Sequence, residues 1–413
     1  LNLSTDPLAE RTYFWERVRS VFTGVIEVVW QPGAAVALLV AIRYYDGDVI
    51  HKGVISGAKA MGFLFAPLTL SLFAHSRQPI TRVMAGILGL TGLILLAVPW
   101  SPGLMSYMIL VSLGSMVMAQ YLPMNTEMYG THFTTGQRGH RIGTVFIIGC
   151  AVSAATQYLT GAMLDARLDL FRGFMVVAAL CCFASAFCLL KIPSRPLNPE
   201  HVGHPWKNIG LVWKDRLFGW LLSSWMLLGI GNLMTLPLRV EYMADPRFGI
   251  DASNRAILLV TGAVPLISRL FTTRWLGILF DRWNLVTLRM FLNSLFALSM
   301  LFFFNTKNIW VMGASMAVLG AAMAGGRISW TLWVTKLTPP DKTSAYMSVH
   351  MFSTGIRGSF APFLGFALIE RFTIFQVSLA GIALTLLSTL MFLPARKYVA
   401  RRGVELEAVG RPV

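Results

Sequence analysis

The chain has 413 residues, of which 55% are hydrophobic and 13% charged, whereas a soluble globular domain usually carries about a quarter charged residues. This composition excludes a water-soluble protein, an intrinsically disordered one and a collagen-like or disulfide-rich one. The formal net charge of +16 would point to a nucleic-acid partner in a soluble chain; here it reports the Lys and Arg that gather on cytoplasmic loops, and no nucleic acid is expected.

Apolar runs of about twenty residues, each long enough to cross a hydrocarbon core about 30 Å thick, recur along the chain. Twelve spans are predicted. They run from Val18 to Ala41, Gly53 to Ala74, Ile80 to Pro99, Leu104 to Tyr129, Ile142 to Leu164 and Gly173 to Leu190. After a proline-rich polar stretch follow Leu217 to Leu238, Ala256 to Phe280, Leu285 to Phe304, Trp310 to Val334, Ala345 to Ile369 and Thr373 to Leu393. The alternating ten-residue pattern of a membrane β-barrel is absent from the sequence.

The stretch from Lys191 to Arg216 contains Pro193, Pro196, Pro199 and Pro205 and reads as a linker. The expected organisation is a six-helix bundle over residues 1–190, a linker over 191–216 and a second six-helix bundle with a short tail over 217–413. Alternating the loops between the two membrane faces puts Arg11, Arg17, Arg19, Arg77, Arg82, Arg138, Arg141, the linker cations, Arg282, Arg289, Lys336, Lys342 and the C-terminal cations on one side. Lys52, Arg167, Arg172, Arg247, Lys307 and Arg371 fall on the other. Both termini are therefore expected in the cytoplasm. A shift of 204 residues superposes Arg138 on Lys342 and a shift of 206 superposes Thr81 on Thr287, a weak internal repeat of the kind found in secondary transporters. Cys150, Cys181, Cys182 and Cys188 lie inside apolar runs and read as reduced filler.

Between the eighth and ninth spans the sequence reads Gly277-Ile-Leu-Phe-Asp281-Arg282-Trp-Asn284. It resembles the cytoplasmic loop signature of the major facilitator superfamily, Gly-x-x-x-Asp-Arg-x-Gly, with Asn284 at the second glycine. After the second span Ser71 and His75 occupy the Gly and Asp positions, and Arg77 and Arg82 supply the charge. The resemblance implies alternating access, with two bundles rocking around a central site lined mainly by helices 1, 4, 7 and 10. Arg274 stands seven residues before Asp281, on nearly the same helical face, so Arg274, Gly277, Asp281 and Arg282 are expected to form a cytoplasmic gate. Asp281 would face the amides at the start of the fifth span, near Arg141. Glu127 is expected to pair with Arg77 or Arg82 in the corresponding gate of the first half.

Charges inside the membrane are expensive and mark function. Arg269, Arg327 and Arg357 fall near mid-depth of their spans, against the single obvious intramembrane carboxylate Glu27; Lys59 adds another cation. A surplus of guanidinium groups suits a carboxylate, sulfonate or phosphate guest, while an Arg can also hold backbone carbonyls or snorkel to an interface. Tyr346, His350, Ser353 and Arg357 share one helical face. Thr23, Glu27 and Gln31 form a shorter stripe ahead of Pro32-Gly33, where a kink is plausible, and Asn232 shares a face with Arg239. These residues supply the expected substrate site, with Glu27 and His350 as proton-coupling candidates. No nucleotide-binding loop, metal-ligand cluster or nucleophile triad is present in the sequence, so no cofactor, metal or enzymatic activity is expected. The reading is an all-α polytopic membrane protein, a monomer in a cell inner membrane. It would move a small organic anion with protons, the alternatives being a drug or lipid exporter and a scaffold that has lost transport.

Overall fold

The computed structural model describes residues 6–30, 36–133, 135–197, 205–338 and 340–408. Among them the chain is helical and holds one isolated β-bridge, between Pro79 and Pro196, that belongs to no strand. The helices in chain order are α1 (Pro7–Trp30), α2 (Val36–Arg43), α3 (Val49–His75), α4 (Ile80–Ala97), α5 (Leu104–Ala119), α6 (Tyr121–His132), α7 (Thr135–Ala166), α8 (Phe171–Leu190), α9 (Pro205–Asn208), α10 (Leu211–Lys214), α11 (Arg216–Thr235), α12 (Leu238–Ala244), α13 (Asn254–Leu258), α14 (Val264–Arg282), α15 (Leu285–Phe304), α16 (Ile309–Leu332), α17 (Pro340–Leu368) and α18 (Ile374–Ala408).

Among the described residues ten segments are long and apolar enough to cross a membrane. Helices α1 and α17, of 24 and 29 residues, are long enough but more polar, and with them the count reaches twelve. The ninth predicted span coincides with α15. The first departs from expectation: α1 starts at Pro7 rather than near Val18, and α2 follows as a separate helix. Proline suits a first helical turn because its missing N–H would be unpaired there anyway, and Asp6 Oδ1 accepts from the Leu8 amide at 3.0 Å. Of the charges that made residues 7–17 read as a loop, Glu16 is buried against Arg19 and Glu10 pairs with Arg141, while Arg11 and Arg17 stay exposed on the helix surface.

Breaks have local causes. Pro237 lacks the N–H that would continue α11, so the seventh span is divided into α11 and α12. A π-helical turn over Leu259–Ala263 separates α13 from α14, just ahead of Pro265. Side chains cap several starts: Asp48 accepts from the Ile50 and His51 amides, Ser253 from Ala256, Asn284 from Val286 and Asn308 from Trp310.

The chain forms two compact units, one of residues 1–202 with 252–263 and one of residues 203–251 with 264–413. In the first, α1 packs on α7 and α8, α4 on α8 and α5, and α3 on α5, while α13 and its π turn lie against α7. Met84, Leu88, Met124, Met128 and Leu189 are among the buried residues of its core. In the second, α11 packs on α17 and α18, α15 on α16 and α18, and α14 on α16.

Candidate functional site

The second unit gathers charge that the packing leaves unbalanced. Arg289 on α15 and Arg357 on α17 are 1% and 5% exposed, and both converge on Trp225 of α11. The Arg289 guanidinium carbon sits 4.0 Å from the Trp225 ring centroid, and Arg289 Nη2 donates to Asn293 Oδ1 at 2.8 Å. Arg357 Nη1 donates to the Trp225 carbonyl and Nη2 to Thr354 Oγ1 at 3.3 Å. Arg289 Nε and Nη1 and Arg357 Nε have no hydrogen-bond partner, and no acid pairs with either guanidinium among the described residues. Gly229 makes the approach possible: a Cβ there would overlap the Arg357 Cδ and Nε, so the side chain lies flat on bare α11 backbone.

Aromatic rings surround this pair. His350, fully buried, lies 5.5, 5.3 and 5.2 Å from the ring centroids of Trp225, Trp330 and Trp333, and neither of its ring nitrogens has a partner. Trp333 Nε1 and Ser329 Oγ are likewise buried without one. Unpaired donors and two cations in a low-dielectric setting are costly. A guest carboxylate or phosphate satisfies several such donors at once, because guanidinium edges match its geometry.

The helix-11 stripe expected from spacing lies on the continuous helix α17, and all four of its residues are buried. Tyr346 donates its hydroxyl to Asp215 Oδ2 at 3.1 Å, tying α17 to the capped start of α11. Arg269 is half-buried on α14 and Arg327 is exposed on α16. Asn232 keeps its Oδ1 buried without a partner. The helix expected to carry Asn232 and Arg239 on one face is interrupted between them at Leu236-Pro237. Glu27 is exposed on α1, and Gln31 and the expected Pro32-Gly33 kink lie outside the described residues.

The gate residues are dispersed. Arg77 adopts a positive φ of 52° and is exposed, as is Arg82. Glu127 is half-buried and makes no ion pair with either, so the expected pairing does not form; the intervening α4 start is tied instead to the 192–195 segment, through Thr81 Oγ1 to the Ile192 carbonyl at 2.9 Å and Ile80 N to the Arg195 carbonyl at 3.1 Å. Arg274, Asp281 and Arg282 are exposed at the end of α14, with Gly277 half-buried. Lys336 closes that helix end by donating Nζ to the Phe280 carbonyl at 2.7 Å. Burial pushes its ammonium pKa down against the opposing pull of Asp281. Arg141 is committed to Glu10 at 2.5 Å.

The first unit holds a second polar centre that the charge tally assigned to a loop. Glu16 and Arg19, on successive turns of α1, are 0% and 3% exposed. Arg19 Nε and Nη2 donate to the two Glu16 carboxylate oxygens at 2.7 and 2.5 Å. Tyr129 of α6 donates to Glu16 Oε2 at 2.5 Å, and Arg19 also reaches Asn125 Oδ1 at 3.3 Å. One turn toward the start of α1, Thr12 Oγ1 meets His132 Nδ1 at 3.0 Å. The i, i+3 spacing of Glu16 and Arg19 and the same-face spacing of Tyr121, Asn125, Tyr129 and His132 were readable signals. Arg289 had one too, since Asn293 stands one turn along the same helix. Depth relative to the first apolar residue misplaced all three charges.

A model of the Major Facilitator Superfamily matches residues 33–362. No curated protein sequence matches the chain. Among solved structures, a mutant of the nucleoside transporter NupG is similar over 93% of this chain and 99% of its own, at 15% identity and a TM-score of 0.75. A bacterial homologue of the human lysosomal transporter Spinster, inward-facing and occupied, is similar over 97% and 99%, at 11% identity and a TM-score of 0.68. A bacterial homologue of the iron transporter ferroportin covers 93% and 98%, at 14% identity and a TM-score of 0.59. At such identities these neighbours speak to the fold alone.

Proposed function

Because the chain belongs to the major facilitator superfamily, we propose that it is a secondary transporter that moves a small organic anion together with protons. It works in a cell inner membrane with both termini in the cytoplasm. The observation that carries the anion is the buried pair Arg289 and Arg357: Arg289 Nε and Nη1 and Arg357 Nε lack partners, and no acid neutralises either guanidinium among the described residues. Trp225, Trp330 and Trp333 beside them favour a guest that combines a carboxylate with a ring, since indole faces stack on rings and guanidinium edges take the charge.

The test is thermal unfolding of the purified protein with benzoate, lactate, phosphate and uridine. Benzoate is expected to raise the unfolding temperature most. Arg289→Gln and Arg357→Gln, each removing a charge-assisted contact of about 1.5–3 kcal/mol, should each weaken benzoate binding roughly tenfold or more. Unchanged benzoate affinity in both folded variants rejects the assignment. A uridine response that equals the benzoate response favours an uncharged ring-bearing cargo instead, the tryptophans being the observation that would support it.

A further inference from the structure

Helix α18 is longer than a bilayer needs. Its 35 residues rise about 52 Å at about 1.5 Å each, against a hydrocarbon core about 30 Å thick. Residues 374–393 alone account for about 30 Å, and the apolar run ends there: Pro394, Arg396, Lys397, Arg401 and Arg402 follow Leu393. The continuation therefore passes first through the headgroup layer, about 5–8 Å deep on each face, and then into water. Two features mark that level. Pro394 has no N–H for the Leu390 carbonyl, which weakens the helix at its exit. Trp220, partly exposed on α11, donates Nε1 to the Met391 carbonyl at 2.7 Å, and an indole with its N–H satisfied and its ring outside suits a membrane interface.

One face of α18 changes character at the same level. Leu379, Leu386, Leu390 and Leu393 are exposed, and steps of seven, four and three residues keep them on one stripe. Lys397 and Arg401, both exposed, continue that stripe in two further steps of four. With Leu393, Pro394 and Tyr398 they line an open groove of about 450 Å³. Lys397 stands about 6 Å and Arg401 about 12 Å beyond Leu393 along the axis. Helix side chains lean toward the N-terminus, so both cations are directed back to the headgroup layer. Lys397 has no acid partner among the described residues. The first acids after Leu393 are Glu405 and Glu407, which begin about 18 Å beyond it.

We propose that this groove is the headgroup site of an anionic phospholipid, with the phosphate between Lys397 and Arg401 and an acyl chain along Leu379, Leu386, Leu390 and Leu393. Charge and shape select the same molecule. An ammonium and a guanidinium both donate to phosphate oxygens, and the leucine stripe gives the chain an apolar surface that leads straight to them. A zwitterionic headgroup brings its own ammonium up to two cations and loses much of the attraction. A soluble phosphate makes no use of the leucines. The site lies wholly on the second unit, at the membrane-facing surface, and does not depend on which cargo Arg289 and Arg357 receive.

The experiment is native mass spectrometry of the purified full chain in detergent, with phosphatidylglycerol and phosphatidylcholine of identical acyl chains at equal concentration. Phosphatidylglycerol is expected to be retained as the first adduct and phosphatidylcholine to be lost. Lys397→Gln combined with Arg401→Gln should weaken phosphatidylglycerol binding about tenfold or more, since each surface cation contributes about a factor of five. Lys214→Gln combined with Arg396→Gln removes two exposed cations that lie off the stripe and should leave it unchanged. Equal retention of the two lipids, undiminished binding in the Lys397 and Arg401 variant, or the same loss in both variants overturns the proposal. Glycerol phosphate, which offers the anion without the chains, should not displace the lipid; displacement at the lipid's own concentration would make this a site for soluble anions and overturns it too. Should the double variant fail to fold, the wild-type chain is cross-linked to phosphatidylglycerol carrying a photoreactive group beside its headgroup. Label on residues 393–401 supports the assignment, and its absence from them overturns it.

Discussion

Arg239 shows that a buried guanidinium is not by itself a binding group. It is fully buried on α12, and Nε, Nη1 and Nη2 all lack partners. Its neighbours are the rings of Phe303 and Phe304, at 5.6 and 5.5 Å. A desolvated cation over a ring gains about 2 kcal/mol, less than the several kcal/mol that burial of an ion costs. Arg239→Met, which keeps the volume, should therefore stabilise the protein by about 1–4 kcal/mol, by analogy with buried charges replaced by apolar groups. Thermal unfolding in detergent measures it, and a lower unfolding temperature would count against this account. Arg289 and Arg357 differ because they adjoin each other and a set of unpaired donors, so the same cost there is offset when an anion arrives. Hydropathy ranks the three arginines alike, since it reads neither neighbour nor ring.

At the scale of elements, helix ends carry the clearest stability predictions. Asp165, near the end of α7, accepts from the Asn254 and Arg255 amides at 2.6 and 3.2 Å. Arg43 reaches Asn254 Oδ1 and the Ala252 carbonyl at 2.8 and 2.6 Å. A Cβ on Gly161 would lie 2.6 Å from the Arg255 Cα. Asp165→Ala should cost about 1–2 kcal/mol, as lost caps do, and Gly161→Val should lower the unfolding temperature through backbone overlap. Stability unchanged in both variants would show that this contact contributes nothing.

Asp48 makes a pH prediction. The His51 backbone amide, helped by the His51 ring, holds the Asp48 carboxyl below the usual carboxylate range. A depressed folded pKa supplies stability that is present above the ordinary value of about 4 and is lost as pH falls through the folded value. Asp48→Asn, which can still cap, should therefore flatten the decline in unfolding temperature on acidification; an unaltered pH profile would exclude this contribution. Such caps involve residues two or three apart, so they are legible in sequence. The Asp165 cap joins residues 89 and 90 positions apart and is not.

For the whole molecule, the ten apolar spans among the described residues plus the polar helices α1 and α17 make an even number, in keeping with the proposal that both termini are cytoplasmic. In a variant without native cysteines, Asn305→Cys should be labelled from outside intact cells and Ser76→Cys should not; the reverse labelling, or labelling of both, would break the span assignment. The apolar spans and their approximate lengths follow from the chain alone, because an apolar run about twenty residues long has one low-energy state in a bilayer and a helix satisfies its own backbone. Which charges are paired does not follow, since pairing depends on what a second helix presents. Glu16 and Arg19 look like a loop until α6 supplies Tyr129 and Asn125. Arg289 looks like a flanking cation until α11 places Trp225 beneath it. Hydrophobic length is a local property and was decided by sequence; electrostatic balance is a property of neighbours brought together from distant positions, and only the tertiary structure decided it.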